Sequence, residues 1–189
     1  MKIVLASKSP RRRELLAKIE PEFEIITRET DETLPSGVHP EKGVEILAIR
    51  KGEAVARELS PDVLVISSDT LVELSGVPLG KPESEADALR MLGELSGKAH
   101  NVHTGVAVHY NGRVYSGVDS ASVKFRPIAR DEILEYIATG EPMDKAGAYA
   151  IQGIGNKFIE KYDGNFDTIM GLGLDLTRRL IDKALGKCV

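Results

Sequence analysis

Cysteine is almost absent: Cys188, beside the C-terminal Val189, is the only one in 189 residues. No disulfide can form within the chain, and a structural zinc site lacks its usual thiolates, so a reducing, cytoplasmic setting is expected. Basic excess is missing as well. With 25 Lys and Arg against 29 Asp and Glu, the net charge is −4, so no nucleic-acid partner is expected and any anion site must be local. No stretch approaches the roughly 18 apolar residues of a membrane span. The opening MKIVLA is too short for the apolar segment of a signal peptide. Repeats, low-complexity tracts and linkers are lacking too. One compact α/β domain over residues 1–189 is therefore expected, with no membrane partner and 42% hydrophobic residues to build its core.

Familiar nucleotide motifs are also missing. Around Lys81, GVPLGKP fails the phosphate-loop pattern, because Ser75 stands where the first Gly is needed and Pro82 where Ser or Thr is needed. GIGNKF (153–158) and GLGLDL (171–176) lack the last glycine of a dinucleotide fingerprint. No G-x-S-x-G elbow is present. His100 and His103 fall on a predicted strand three residues apart, hence on opposite faces, and make a poor metal pair.

What is present is a clear alternation of elements. KIVLA (2–6) reads as a buried strand, and Ser9-Pro10 as an N-cap and first helical residue for a helix to about residue 19. FEIIT (23–27) is a second strand, and the polar loop after it carries Asp31 and Glu32. Pro40 opens a helix to about Leu59, and VLVIS (63–67) is a strand covered on both faces that ends at SSDT. Asp69 is then expected at the C-terminal mouth of a central strand. TLVEL (70–74) continues extended, GVP turns, and Glu83 to Leu95 is helical, with Lys81-Pro82 in the loop before it. Alternation over 100–125 around Asn111-Gly112 predicts a type I′ hairpin. A short helix follows at Arg130 to Thr139, then a Gly-rich ordered loop into a strand at 158–162, and a last helix over about 174–185.

Three arginines, Arg11 to Arg13, directly follow Ser9-Pro10. A cation at a helix N-terminus is disfavoured by roughly 0.3–1 kcal/mol. Either a phosphate ligand repays this, clamped by guanidinium and backbone N–H groups, or the run is a solvated basic face paired with Glu14 and acidic loops. Asp69 is either a catalytic carboxylate at a strand end or a turn residue capping it. Asp31 and Glu32 can supply a second carboxylate for a divalent metal or be solvated, and Lys81 can bind phosphate or be an ordinary loop lysine.

ASKSPRRRELL, SSDT, GKP and DKAGAYAIQG, in that order and spacing, make the chain resemble the Maf family of nucleoside triphosphate pyrophosphatases over nearly its whole length. Residues 144–153 resemble the branch acting on dTTP and UTP. The resemblance implies a mixed, bent sheet flanked by helices in two lobes with a central cleft. It implies Asp69 as proton acceptor, with Ser7, Arg12, Lys51 and Lys81 at phosphate positions and Arg11, Thr70 and Gln152 at positions tied to base selectivity. Glu32 and Asp69 match positions near a Mg²⁺ or Mn²⁺ ion. Phe166 stands where relatives commonly carry Tyr, and Gly173 where they often carry Pro. The expected activity is hydrolysis of a nucleoside triphosphate to its monophosphate and pyrophosphate, in a house-cleaning role. A link to cell-division arrest is implied by the resemblance alone. A nucleotide-binding regulator without turnover and an enzyme selective for modified purine nucleotides are the alternatives, and a homodimer is left open.

Overall fold

The computed structural model describes residues 1–34 and 37–187; Pro35, Ser36, Cys188 and Val189 lie outside the described residues. Seven strands are described: β1 (Ile3–Leu5), β2 (Glu24–Ile25), β3 (Leu64–Leu74), β4 (Val77–Leu79), β5 (Ala99–Tyr110), β6 (Arg113–Phe125) and β7 (Ile159–Asp163). They form a mixed sheet in the order β2-β1-β3-β5-β6-β7, with β4 also beside β3. β1 runs parallel to β2 and β3, and all other pairings are antiparallel. The helices are α1 (Pro10–Ala17), α2 (Pro40–Ala56), α3 (Glu85–Leu95), α4 (Arg130–Ile137), α5 (Phe166–Met170) and α6 (Leu174–Ala184). The mixed sheet with flanking helices matches the expected fold class. No described helix is long and apolar enough to cross a membrane.

Alternation along the inner strands explains the layers. Val4, Ala6 and Val65 pack with Val55 of α2 on one face, while Ile3, Leu5, Leu64 and Ile66 join the larger core on the other. Asn111 and Gly112 both have positive φ, +49° and +69°, as the type I′ hairpin requires. The expected Gly-rich ordered loop contains three short 3₁₀ turns, Glu141–Asp144, Ala146–Ala148 and Ile154–Phe158. α5 is an additional helix, because only five residues leave no period to detect.

On the larger-core face, His100 is buried between Phe125 and Tyr149, with 2.8 Å between its Nε2 and the tyrosine hydroxyl oxygen. Burial pushes the His100 imidazole down to about 4. In the unfolded chain the group titrates near ~6.5. Above that pH neither state holds the proton; between about 6.5 and 4 only the unfolded chain binds it. Stability is therefore fully present above about pH 6.5 and falls through this window, by about 3 kcal/mol at its lower end. His100→Gln keeps a hydrogen-bonding group but does not titrate. Melting curves from pH 7.5 to 4.5 are expected to fall less steeply for this variant than for the parent; equal slopes would count against His100 as the source.

Candidate active site

The polar SSDT segment within β3 is where the sheet opens. β5 pairs with β3 from Val65 to Glu73 on one edge. On the other edge β1 covers Leu64 to Ile66 and β4 covers Val72 to Leu74. Ser67 to Leu71 thus have no strand neighbour on that side among the described residues. Asp69 lies in the middle of this window rather than at the end of its own strand, which corrects the sequence expectation. β3 survives its polar SSDT segment because β5 holds its backbone. The serine hydroxyls also find acceptors: Ser67 donates to the Ala48 carbonyl at 2.7 Å and Ser68 to the Gly171 carbonyl at 2.8 Å. The strand end that matters is that of β1, where the chain turns through Ser7 into α1.

Alternation sends Asp69 to the α2 face and Thr70 to the opposite face. On the α2 face, Lys51 pairs with Asp69 and, at 3.0 Å, with Glu32. Asp69 is buried, whereas the Glu32 side chain is about half exposed. Asp31 takes a different part: its carboxylate accepts from the Thr33 N–H at 2.8 Å, while Arg50 of α2 donates to the Thr33 carbonyl at 2.8 Å. Asp31 shapes the loop, and Glu32 is presented to the cluster.

The opposite face explains the arginine run. Ser9 caps α1 by accepting from the Arg12 N–H, and Arg12 leaves the helix surface to span the opening. Its Nε donates to the Gly171 carbonyl at 2.8 Å, its Nη2 to Thr70 Oγ1 at 3.1 Å and its Nη1 to Ser7 Oγ at 3.4 Å. Burial pulls the guanidinium below its ordinary range, and nearby Asp69 and Glu32 oppose that shift while Arg11 adds to it. Gly171 has φ +115°, and a Cβ there would lie 3.3 Å from both Arg12 Nε and Thr70 Oγ1. A bare backbone is what lets its carbonyl seat the guanidinium. Arg13 is exposed on the helix surface.

Arg11 turns toward another element. Burial lowers it, and Asp144, Tyr136 and Glu141 raise it in return. Glu141 anchors the segment beyond Gln152, accepting from the Ile154 and Gly155 N–H groups at 3.0 Å each and from the Tyr136 hydroxyl at 2.9 Å. Burial alone would raise the Glu141 carboxyl; these donors outweigh it and hold the group below its ordinary value. The Gly147 N–H donates to the Gly80 carbonyl at 2.9 Å, bringing the loop of Lys81 to the same tract. Gln152 and Lys81 are exposed; neither is hydrogen-bonded to the Asp69 or Arg12 clusters among the described residues.

The structure therefore joins Ser7, Arg12 and Thr70 in one cluster and Glu32, Lys51 and Asp69 in another. Arg11, Lys81 and Gln152 make no hydrogen bond to either cluster among the described residues. Two carboxylates converging on one ammonium make a site that fits a divalent cation, because Mg²⁺ commonly takes one or two carboxylates and completes its shell with water and phosphate oxygens. No group of three or more His, Cys, Asp or Glu suited to a metal occurs among the described residues, so the fit requires oxygens from a ligand.

The profile of the family described as "Maf-like protein" matches residues 2–184. The chain belongs to the Maf family. A dTTP/UTP pyrophosphatase from Moorella thermoacetica is 47% identical over 182 residues, covering 95% of this chain and 93% of that one. One from Bacillus velezensis is 43% identical over 180 residues, 95% of each chain. One from Aquifex aeolicus is 44% identical over 172 residues, 91% of this chain and 90% of that one. Among solved structures, the Staphylococcus aureus Ham1 protein aligns over 98% of this chain and 96% of its own at 20% identity and a TM-score of 0.48.

Several residues of this Maf-family site had no sequence signal strong enough to single them out. The Gly171 carbonyl is a backbone atom. Ser68 and Thr104 are small polar residues in strands, and Glu141 is one carboxylate among many. The polar residues of β3 and β5 do carry one usable signal. Ser68, Thr70 and Thr104 fall on one face of two paired strands, among Leu64, Ile66, Val72, Val102, Val106 and Val108, and buried hydroxyls there require partners.

Proposed function

We propose that this protein hydrolyses dTTP and UTP between the α- and β-phosphates, with the whole chain acting as one domain. Water bonds to the α-phosphorus, the bond to the bridging oxygen breaks, and the monophosphate and pyrophosphate leave. The names of the relatives support the substrate class. The observation that carries the chemistry is the sheet opening itself. It sets a buried carboxylate, Asp69, beside Lys51 and Glu32 on one face and the Arg12 fork on the other.

In this reading Asp69 orients the attacking water and takes its proton. Arg12, with Ser7 beside it, holds phosphate oxygens through a geometry that a lysine cannot reproduce. Lys51 is paired with both carboxylates here; with substrate bound it would turn to a phosphate oxygen, and Lys81 would add a second ammonium from its loop. Glu32 and Asp69 would hold a Mg²⁺ or Mn²⁺ ion, which supplies Lewis-acid stabilisation of charge on the leaving pyrophosphate. Arg11, Thr70 and Gln152 would face the base and sugar, Gln152 offering both a donor and an acceptor to a pyrimidine edge. The triphosphate supplies the negative charge that a helix start bearing three arginines otherwise lacks.

A panel of normal and modified nucleoside triphosphates with Mg²⁺, assayed for monophosphate and pyrophosphate, tests this directly. UMP and dTMP, each equimolar with pyrophosphate, are the expected products. Binding without pyrophosphate release from any member would leave a nucleotide-binding regulator, and preferential turnover of modified purines would overturn the base assignment.

A further inference from the structure

Arg12 is held by more than its direct partners. Thr70 Oγ1, which accepts from Arg12 Nη2, lies 2.9 Å from Thr104 Oγ1 on β5. Thr104 is fully buried, and its hydroxyl is 2.7 Å from the Thr168 carbonyl in α5. The Thr168 hydroxyl in turn donates to Asp119 Oδ2, which also accepts from Asn165 Nδ2 at 3.0 Å.

Counting protons gives this chain a direction. A carbonyl can only accept, so the single proton of Thr104 goes to Thr168. Thr104 Oγ1 must then accept from Thr70, whose own proton is thereby used. Thr70 is left with lone pairs alone, and a guanidinium N–H fills one of them. The array runs one way, from Arg12 N–H to Thr70 O–H to Thr104 O–H to the Thr168 carbonyl, and each donation strengthens the acceptor before it. We propose that Thr104 is a positioning residue for Arg12: through Thr70 it locks the guanidinium onto the Gly171 carbonyl and leaves Thr70 able only to accept hydrogen bonds from a ligand. Thr70 then serves the phosphate-binding arginine before it serves the base, and it can contact a base N–H but not a base carbonyl.

This inference rests on the phosphate-binding role proposed for Arg12, and the test separates the two. Thr104→Val keeps the branched shape in a fully buried strand position and removes the hydroxyl; Thr104→Ser keeps the hydroxyl. UTP hydrolysis with Mg²⁺ is followed for both, for Arg12→Lys and for the Arg12→Lys/Thr104→Val double variant, alongside melting temperatures. Thr104→Val is expected to lower kcat/KM about tenfold, the scale of a hydrogen bond to a charged group. Thr104→Ser should stay within about twofold of the parent. On the Arg12→Lys background the valine change should cost less than about twofold, because the two positions act as one unit.

Parent-like activity of Thr104→Val beside an impaired Arg12→Lys would overturn the relay and leave the function intact. Equal losses in the Val and Ser variants with matching falls in melting temperature, or independent effects in the double variant, would make Thr104 merely structural and overturn it too. Undiminished activity in Arg12→Lys would sink the phosphate role of Arg12 and the relay together.

Discussion

Asp69→Asn is expected to lower pyrophosphate release from UTP at least about a hundredfold, the lower end of what a positioned general base contributes. Asparagine has the same size and keeps an oxygen acceptor toward Lys51, so β3 and its pairing with β5 should be undisturbed. It cannot take a proton from water, and it removes one of the two negative charges that converge on the Lys51 ammonium. The ammonium retains Glu32 at 3.0 Å, which limits the stability lost with the Asp69 charge. Pyrophosphate release and melting temperature measured on the same preparation separate the effects: a fall in rate of less than about threefold in a folded variant would remove Asp69 from the chemistry.

Gly105→Ala is expected to lower the melting temperature by about 6–12 °C, from an overpacking cost of about 3 kcal/mol and ~2–4 °C per kcal/mol for a chain of this size. Gly105 sits opposite Asp69 in the β3–β5 register and on the same face. A Cβ there would come within 2.6 Å of the Val44 carbonyl carbon and 2.8 Å of the Glu45 nitrogen, both in the backbone of α2. No side chain can rotate away to make room, so α2 itself must lift. α2 carries Lys51, so activity should fall together with stability. Gly93→Ala is the control. It lies on the exposed face of α3 with no atom within 4 Å of the added Cβ, and it should instead stabilise by about 0.5–1 kcal/mol. A Gly105→Ala protein that melts like the parent would show that the α2–sheet contact has more slack than its geometry suggests.

Both variants depend on relationships that local sequence features record only in part. Residues 2–6, 63–67 and 100–125 were legible as strands because β-branched runs and strict alternation report burial directly. The 111–112 turn was legible because two positive φ angles demand Asn-Gly chemistry. The start of α1 was legible from Ser9-Pro10, and the end of the polar loop from Pro40. Asp69 stands out in the sequence as a carboxylate following an apolar strand, but the sequence puts it at a strand end whereas it lies within β3. The polar SSDT segment resembles a strand end, and pairing with β5 as far as Glu73, joined by β4 from Val72, keeps it extended to Leu74.

By itself the sequence determined the periods, the turns, the helix starts and the set of charged residues near the front of the chain, since each depends on chemistry within a few residues. It also carried the family resemblance, which depends on the order of short motifs. The resemblance named Arg12 and Glu32, but tertiary structure alone decided that Arg12 crosses the sheet opening, that Glu32 meets Lys51 while Asp31 accepts from the Thr33 N–H, and that a glycine carbonyl 159 residues away seats the guanidinium. Those choices depend on where β1 stops beside β3 and on how closely α2 approaches β5. Contacts between segments so distant in the chain are set by packing and leave no local pattern to read.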